Sequence, residues 1–179
     1  MTKLACWLLA GFGMGPLSAA LAAPTAGVNV QYRGELVAEP CTLLPEDENI
    51  LLDFGTVIDK YLYLNSRTQG KLFQLHLMDC DVSLNNMLKI TFSGPASTAL
   101  PGLLALDGVN SVTGIAIGME TPQGQPLPLN QQTNAYPLRD GNNVINLQAY
   151  VRGEPEAINN KAIGRGVFTG IATFRLDYE

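Results

Sequence analysis

The chain has 179 residues, a formal net charge of −5 and a charged fraction of 15%, against about 25% in average domains. A weakly charged, mildly acidic surface argues against nucleic acid or an anionic membrane as the partner. The length suffices for one domain with a substantial core. The composition fits a protein that buries much of its surface against copies or relatives of itself.

The first residues have the pattern of an export signal. Lys3 precedes an apolar stretch over residues 4–17, and Ala20 and Ala22 form the small-x-small pattern of a cleavage site. The stretch is too short and too interrupted by glycine to span a membrane, and no later segment reaches the roughly 20 apolar residues of a span. We predict a signal peptide over residues 1–22 and an exported chain that is not embedded in a membrane.

An N-terminal extension over residues 23–40 contains a segment that alternates with period two. Such alternation is typical of a strand with one buried face. The alternative is a frayed terminus, which does not account for a row of buried-type residues. The alternating positions are Val28, Val30, Tyr32, Gly34 and Leu36.

Two cysteines, Cys41 and Cys80, remain once Cys6 has left with the signal peptide. An even number of cysteines in an exported chain predicts a disulfide. Two buried free thiols are the alternative. A metal site is disfavoured because His76 is the sole histidine of the chain.

Residues 41–179 have the pattern of a single all-β domain. Short apolar runs separated by turn clusters indicate a β-sandwich, and no long stretch has helical periodicity. Residues 139–143, with the sequence RDGNN, predict a hairpin turn. Strands are predicted over residues 50–54, 72–78, 87–92, 114–119 and 144–151.

The last fourteen residues predict the strongest strand of the chain. Apolar or small residues occupy every even position: Gly166, Phe168, Gly170, Ala172, Phe174, Leu176 and Tyr178. The sequence stops one residue later, so we expect this strand to lack a following strand of its own and to have its edge completed by another segment. Together with the alternating extension, this predicts a subunit that polymerises by exchanging strands.

Residues with catalytic or metal-binding chemistry do not form a convincing constellation. His76 alternates with Gln74 and Met78 and is interpreted as a residue at the rim of a strand. Asp79 and Asp81 are interpreted as part of a solvated turn. The acidic residues 46–48 lack the ligand spacing of a calcium loop. We predict neither enzymatic activity nor a cofactor.

Three of these features resemble pilus subunits of the chaperone–usher pathway, as in type 1 and P pili. Gly166, fourteen residues from the end, and the penultimate aromatic Tyr178 match the C-terminal pattern of that family. The alternating extension with its single glycine precedes the first cysteine, as in the family. The cysteine pair is the third feature, and the resemblance covers essentially the whole chain.

The resemblance implies an incomplete immunoglobulin-like β-sandwich that lacks its final strand. A groove beside the C-terminal strand would be filled in the periplasm by a strand of a chaperone, and in the pilus by the extension of the next subunit. This is donor-strand complementation. The implied partners are the periplasmic chaperone, the outer-membrane usher and neighbouring subunits, and the implied destination is the extracellular pilus, where the subunit contributes to cell adhesion.

The position within the fibre is less defined by the sequence. Residues 100–110, followed by residues 114–117, resemble the minor tip-adaptor subunits of P pili, so a minor subunit is expected. A major rod subunit, or a terminating subunit that blocks its own groove, remains open. A secreted sugar-binding adhesin, the alternative from a different class, would carry a lectin domain ahead of the pilin domain and would lack the donor segment.

Overall fold

The computed structural model describes residues 30–34, 36, 38–108 and 112–179. The chain divides into two compact units, Met1–Leu36 and Val37–Glu179. The predicted signal peptide over residues 1–22 and the predicted donor residue Val28 lie outside the described residues. Within the first unit, residues 30–34 and 36 have no regular secondary structure. The boundary expected between residues 40 and 41 stays a prediction.

The second unit consists mainly of antiparallel strands that form two sheets. A four-stranded sheet has the order β1-β2-β6-β4, and a three-stranded sheet has the order β5-β3-β7. The strands are β1 (Thr42–Leu43), β2 (Lys71–Cys80), β3 (Met87–Ser93), β4 (Ile115–Glu120), β5 (Tyr136–Pro137), β6 (Gly141–Gly153) and β7 (Thr173–Tyr178). Two short helices, α1 (Asp59–Asn65) and α2 (Pro155–Asn159), and a 3₁₀ turn over Pro45–Glu48 complete the unit.

The main core lies between the two sheets because each strand turns alternate side chains inward. Leu75 and Leu77 of β2 are fully buried, whereas His76 between them is half-buried and Gln74 before them is exposed. Leu88 and Ile90 of β3 face them from the other sheet and belong to the same cluster. This β-sandwich confirms the predicted fold class, and β2, β3, β4 and β6 correspond to four of the predicted strands.

The predicted hairpin at residues 139–143 is wrong. The turn does connect β5 to β6, but β5 pairs with β3 and β6 pairs with β2 and β4, so the chain crosses here from one sheet to the other. Leu138 is buried just before the crossing, and its backbone N–H donates to Asn86 O at 2.8 Å next to β3. A turn with Asn and Gly satisfies its backbone equally well in either connection.

Helix α1 is absent from the sequence prediction. It buries Leu62 against Ile115, Val151 and Ile163, which form a second, smaller core cluster. Only Leu62 of its seven residues is buried, and Ile58 at the N-cap provides no side-chain cap. One buried position and no cap leave too weak a pattern for a helix prediction.

The predicted disulfide between Cys41 and Cys80 is present. It joins the residue before β1 to the last residue of β2 across a sequence separation of 39. In the chain-entropy treatment, closing a loop of this length stabilises the fold by roughly 4 kcal/mol.

Replacing both cysteines by alanine should therefore lower the free energy of unfolding by about 4 kcal/mol. Urea denaturation of the exported protein, compared with the unmodified chain under oxidising conditions, measures this difference. A peptide map under non-reducing conditions provides the control, since it should contain one linked pair of peptides. An unchanged unfolding midpoint would mean that the bond does not restrain the unfolded chain.

Candidate functional site

The edge of β7 that faces away from β3 is the main unpaired feature of the sandwich. β7 pairs with β3 in register from Leu88↔Tyr178 to Ser93↔Thr173. Along the other edge, no strand among the described residues pairs with it. Unpaired backbone N–H and C=O groups on such an edge are a template for another strand.

The inward side chains of β7 are covered less completely than those of β3. Leu88, Ile90 and Phe92 of β3 are 0, 0 and 4% exposed. Phe174 and Leu176 of β7 pack against the same core but remain half-buried. The core therefore lacks a layer of side chains along the outer edge of β7.

The corresponding edge of the four-stranded sheet is also covered incompletely. β1 is the last strand of its sheet, and residues 50–54 alternate between half-buried and exposed side chains. Ile50, Leu52 and Phe54 are the inward members and pack against the core. Residues 50–54 form no ladder, so the predicted strand there is wrong, although its alternation is present. A strand needs a partner, and the described part of the chain supplies none on this side.

Aromatic rings connect the two sheets beneath these edges. The ring of Phe54 lies 6.2 Å from that of Phe168, centroid to centroid. Phe92 lies 6.4 Å from both Phe73 of β2 and Phe174 of β7. We call the half-buried apolar surface formed by residues 50–54 and by the C-terminal segment 168–178, which includes β7, the open groove. Sequence reasoning predicted the β7 wall and missed the role of residues 50–54 as the other wall.

The other edges of the two sheets are closed by loops. Leu104 and Ile117 of β4 exchange backbone hydrogen bonds of 2.8 and 3.0 Å, and Leu127 N–H donates to Met119 O at 2.9 Å. β5 is a two-residue strand that ends in Pro137, which has no N–H to offer. The open groove is therefore the one long apolar edge left without cover in residues 38–108 and 112–179.

The predicted C-terminal residues lie along this edge with the expected alternation. Phe168, Gly170, Ala172, Phe174, Leu176 and Tyr178 are all half-buried, whereas Val167 and Ile171 are 79 and 71% exposed. Regular strand structure covers Thr173–Tyr178 and not residues 167–172, so the predicted strand is too long. Thr169 O in the earlier half instead accepts a bond from Asp107 N–H at 2.8 Å.

Glycine is favoured at two positions of this segment for different structural reasons. A Cβ at Gly170 would lie 3.2 Å from Ile117 Cδ1 and 3.3 Å from Leu104 Cδ2, so a larger residue would push into the core. Gly166 is exposed and has a φ of 151°, which favours glycine. Glycine therefore fits both positions.

The end of the groove at Tyr178 lies near the point where the chain enters the domain. Burial raises the pKa of the Tyr178 hydroxyl, and the negative charge of Glu39 raises it further. Glu39 precedes Cys41 by two residues. Glu39 therefore lies close enough to Tyr178 for its charge to act on the hydroxyl.

Three predicted donor residues in the first unit are exposed. Val30, Tyr32 and Leu36 are 65, 90 and 101% exposed. Gly34 lies between them in the alternating pattern. Apolar side chains that are this exposed at alternate positions remain available to a partner.

The polar residues considered for chemistry have structural roles. Asp47 Oδ2 accepts hydrogen bonds from the backbone N–H of His76 at 2.5 Å and contacts His76 Nδ1 at 2.9 Å, which ties the 3₁₀ turn to β2. Asp81 accepts hydrogen bonds from the hydroxyl and from the backbone N–H of Ser83, and these bonds lower the pKa of its carboxyl. Among the described residues, no cluster of three or more His, Cys, Asp or Glu side chains could hold a metal ion.

Comparison with known proteins identifies the family of the chain. Residues 30–179 match the family model described as fimbrial protein. The chain belongs to the fimbrial protein family. This fimbrial subunit is also 30% identical to the major MR/P fimbria protein of Proteus mirabilis, over 100% of its own length and 99% of that protein.

The fimbrial subunit is also similar to a second curated relative and to a solved structure. It is 28% identical to a putative minor fimbrial subunit, PmfF, of Proteus mirabilis, over 86% of its own length and 85% of that protein. Among solved structures, the P pilus rod subunit PapA matches with a TM-score of 0.68 and 23% identity, over 79% of this chain and 100% of that one. This last match supports the fold, an immunoglobulin-like sandwich of the pilus-subunit type.

Family membership confirms the predicted class of protein. The chain is a subunit of a chaperone–usher fimbria, a structural protein and not an enzyme, and it passes through the periplasm to the extracellular pilus. In the part of the chain that the structure describes, no helix has the length and apolar character needed to cross a membrane.

Proposed function

We propose that this fimbrial subunit polymerises by donor-strand exchange. Residues 28–36 of one subunit insert beside β7 of the next and complete its sandwich. The observation that carries the proposal is the open groove, in which the inward side chains of β7 stay half-buried while those of β3 are covered. The recognition is β-augmentation, in which main-chain bonds give the pairing and alternate side chains give the register.

The donor segment has the side chains that such a groove needs. Val28, Val30, Tyr32 and Leu36 would all face one side of an inserted strand. Burying four such side chains contributes on the order of 6–12 kcal/mol before entropic costs. Gly34 would lie where the donor backbone approaches the groove closely. Together with the main-chain hydrogen bonds of the added strand, this burial favours association without covalent bonds.

The same groove makes a periplasmic chaperone a necessary partner before assembly. An apolar groove beside an unpaired strand edge favours aggregation when it is left exposed. A chaperone strand of alternating apolar side chains would cover β7 until the donor segment of another subunit replaces it. Delivery to the outer-membrane usher would follow from that complex.

The place of the subunit in the fibre is a separate question. Its relatives include a protein named as a major fimbrial component and one named as a minor subunit, at 30 and 28% identity. The resemblance of residues 100–110 to tip adaptors supports a minor subunit. Counting the copies of this chain per fibre by quantitative mass spectrometry tests that assignment: a few copies support it, and hundreds mean a rod subunit.

Deleting residues 23–36 should abolish incorporation into fibres while leaving the chaperone complex intact. The deletion removes the donor segment and none of the residues of the second unit, so the groove is still formed. Co-purification with the chaperone and electron microscopy of fibres measure the two properties. If the deleted chain fills the groove of its neighbour as well as the intact chain does, the donor assignment is wrong.

A point substitution sharpens this experiment. Gly34→Leu places a side chain on the inserted face and should strongly reduce incorporation. Arg33→Leu, on the opposite face of the same strand, is the matched control and should assemble normally. Equal assembly of both variants would mean that residue 34 does not enter the groove.

A further inference from the structure

The loop between β4 and β5 lines a hollow on the protein surface that donor-strand exchange does not use. It has a volume of ≈ 350 Å³, within the range of small-ligand sites. None of the residues that line it is charged, and the structure describes all of them. Its polar lining consists mainly of Thr121, Gln123, Gln125, Gln131, Gln132 and Asn134.

The backbone around this hollow is fixed on both sides. Thr121 N–H donates to Gln125 O at 2.9 Å, and Leu127 N–H donates to Met119 O of β4 at 2.9 Å. On the other side, Thr133 N–H donates to Ile90 O at 2.9 Å, and the Thr133 hydroxyl accepts from Ile90 N–H at 3.0 Å. A loop anchored to two strands presents its side chains without a large ordering cost on binding.

The amide side chains around the hollow are free to bind a ligand. Gln132 Nε2 donates to Asp177 Oδ2 at 3.2 Å, which fixes one amide. The side-chain amides of Gln123, Gln125 and Gln131 have no hydrogen-bond partner within the described residues. Each offers two donors and an acceptor oxygen. Three uncommitted amides on a fixed loop can therefore both donate to and accept from one ligand.

Tyr136 adds an aromatic surface at the edge of the hollow. Its side chain is half-buried against the core, and burial raises the pKa of its hydroxyl. A ring with an apolar face and a polar tip suits a ligand that has C–H and O–H groups on different sides.

We propose that this hollow binds a neutral carbohydrate. Sugar hydroxyls donate and accept at once, as amides do, and sugar C–H faces pack on aromatic rings. An anionic ligand is disfavoured because the lining has no cation. In the sheet order β5-β3-β7, the site lies on the β5 side, away from the open edge of β7. Sugar binding is thus compatible with a filled groove and does not depend on it.

Saturation-transfer NMR on the full-length mature protein, kept soluble by co-purification with its periplasmic chaperone, tests the proposal. The probes are methyl β-galactoside, methyl α-mannoside and N-acetyllactosamine. At least one should bind, and Gln131→Glu and Gln125→Glu should each weaken that binding about tenfold, since a carboxylate removes both amide donors. Both residues are exposed, so the fold should tolerate these changes.

Gln74→Glu is the matched control, because Gln74 is an exposed amide on β2 in the other sheet. It should leave the affinity within about twofold. The proposal is overturned if none of the three sugars binds, or if a bound sugar is unaffected by both hollow variants. It is also overturned if Gln74→Glu weakens binding as much as they do.

Discussion

A second copy of residues 28–36, fused after Glu179 through a short flexible linker, should convert the exported chain into a soluble monomer that unfolds cooperatively without a chaperone. The added strand would pair with the open edge of β7 and cover Phe174 and Leu176. Its burial contributes on the order of 6–12 kcal/mol before entropic costs, and the linker lowers those costs by raising the effective concentration. Urea unfolding and size-exclusion chromatography measure the change.

The matched control carries the same fusion with serine at the four alternating apolar positions of the added copy. It has the same length and linker but nothing to bury, so it should behave like the unfused chain. Equal stability of the chain with and without the added strand would mean that the sandwich is already complete, and the proposed exchange would fail.

Phe174→Asp should abolish capture of the subunit by a periplasmic chaperone. Phe174 points into the open groove and contacts the ring of Phe92. A chaperone strand laid over it would bury an unpaired carboxylate, which costs several kcal/mol. We expect more than a tenfold loss of soluble subunit recovered with the chaperone from the periplasm, measured by co-purification.

Thr173→Asp is the control for this substitution, because Thr173 is exposed on the opposite face of β7. It introduces the same charge one residue away and should leave the yield unchanged. A Phe174→Asp variant recovered in normal amounts with the chaperone would show that the groove beside β7 is not the chaperone site.

The strands that could be predicted are those whose apolar pattern lies within their own residues. β2, β3, β4 and β6 each show their inward side chains as alternating or continuous apolar residues, and the structure places them accordingly. Residues 50–54 alternate just as clearly, yet form no strand. Alternation reports which side chains turn inward, whereas a strand also needs a backbone partner.

Connections and short helices were harder to predict because they depend on contacts between residues that are distant in the sequence. The turn at residues 139–143 has the same sequence requirements whether it joins neighbours in a sheet or crosses between sheets. Helix α1 depends on Leu62 meeting a cluster from β4, β6 and residue 163. Nothing in seven residues with one buried side chain indicates that cluster.

For the candidate site, the alternation of Phe168 to Tyr178 was readable from sequence, but its incomplete cover was not. Whether Phe174 is sealed or half-exposed depends on which strand lies beside β7, and that is settled by the packing of the two sheets. The facing wall, with Phe54 against Phe168, joins residues more than a hundred positions apart. Such a pairing leaves no periodic signal in one sequence.

The bond between Cys41 and Cys80 also has a mechanical consequence for a fibre. If the extension joins neighbouring subunits as proposed above, tension on it reaches Cys41, and the disulfide transmits that tension directly to the end of β2. The intervening stretch, a sequence separation of 39, is bypassed by the load; fully extended at about 3.3–3.6 Å per residue, it would release about 130 Å of chain. Under load the stretch between the two cysteines is therefore held closed by a covalent bond, and any extension of the domain has to come from its non-covalent contacts.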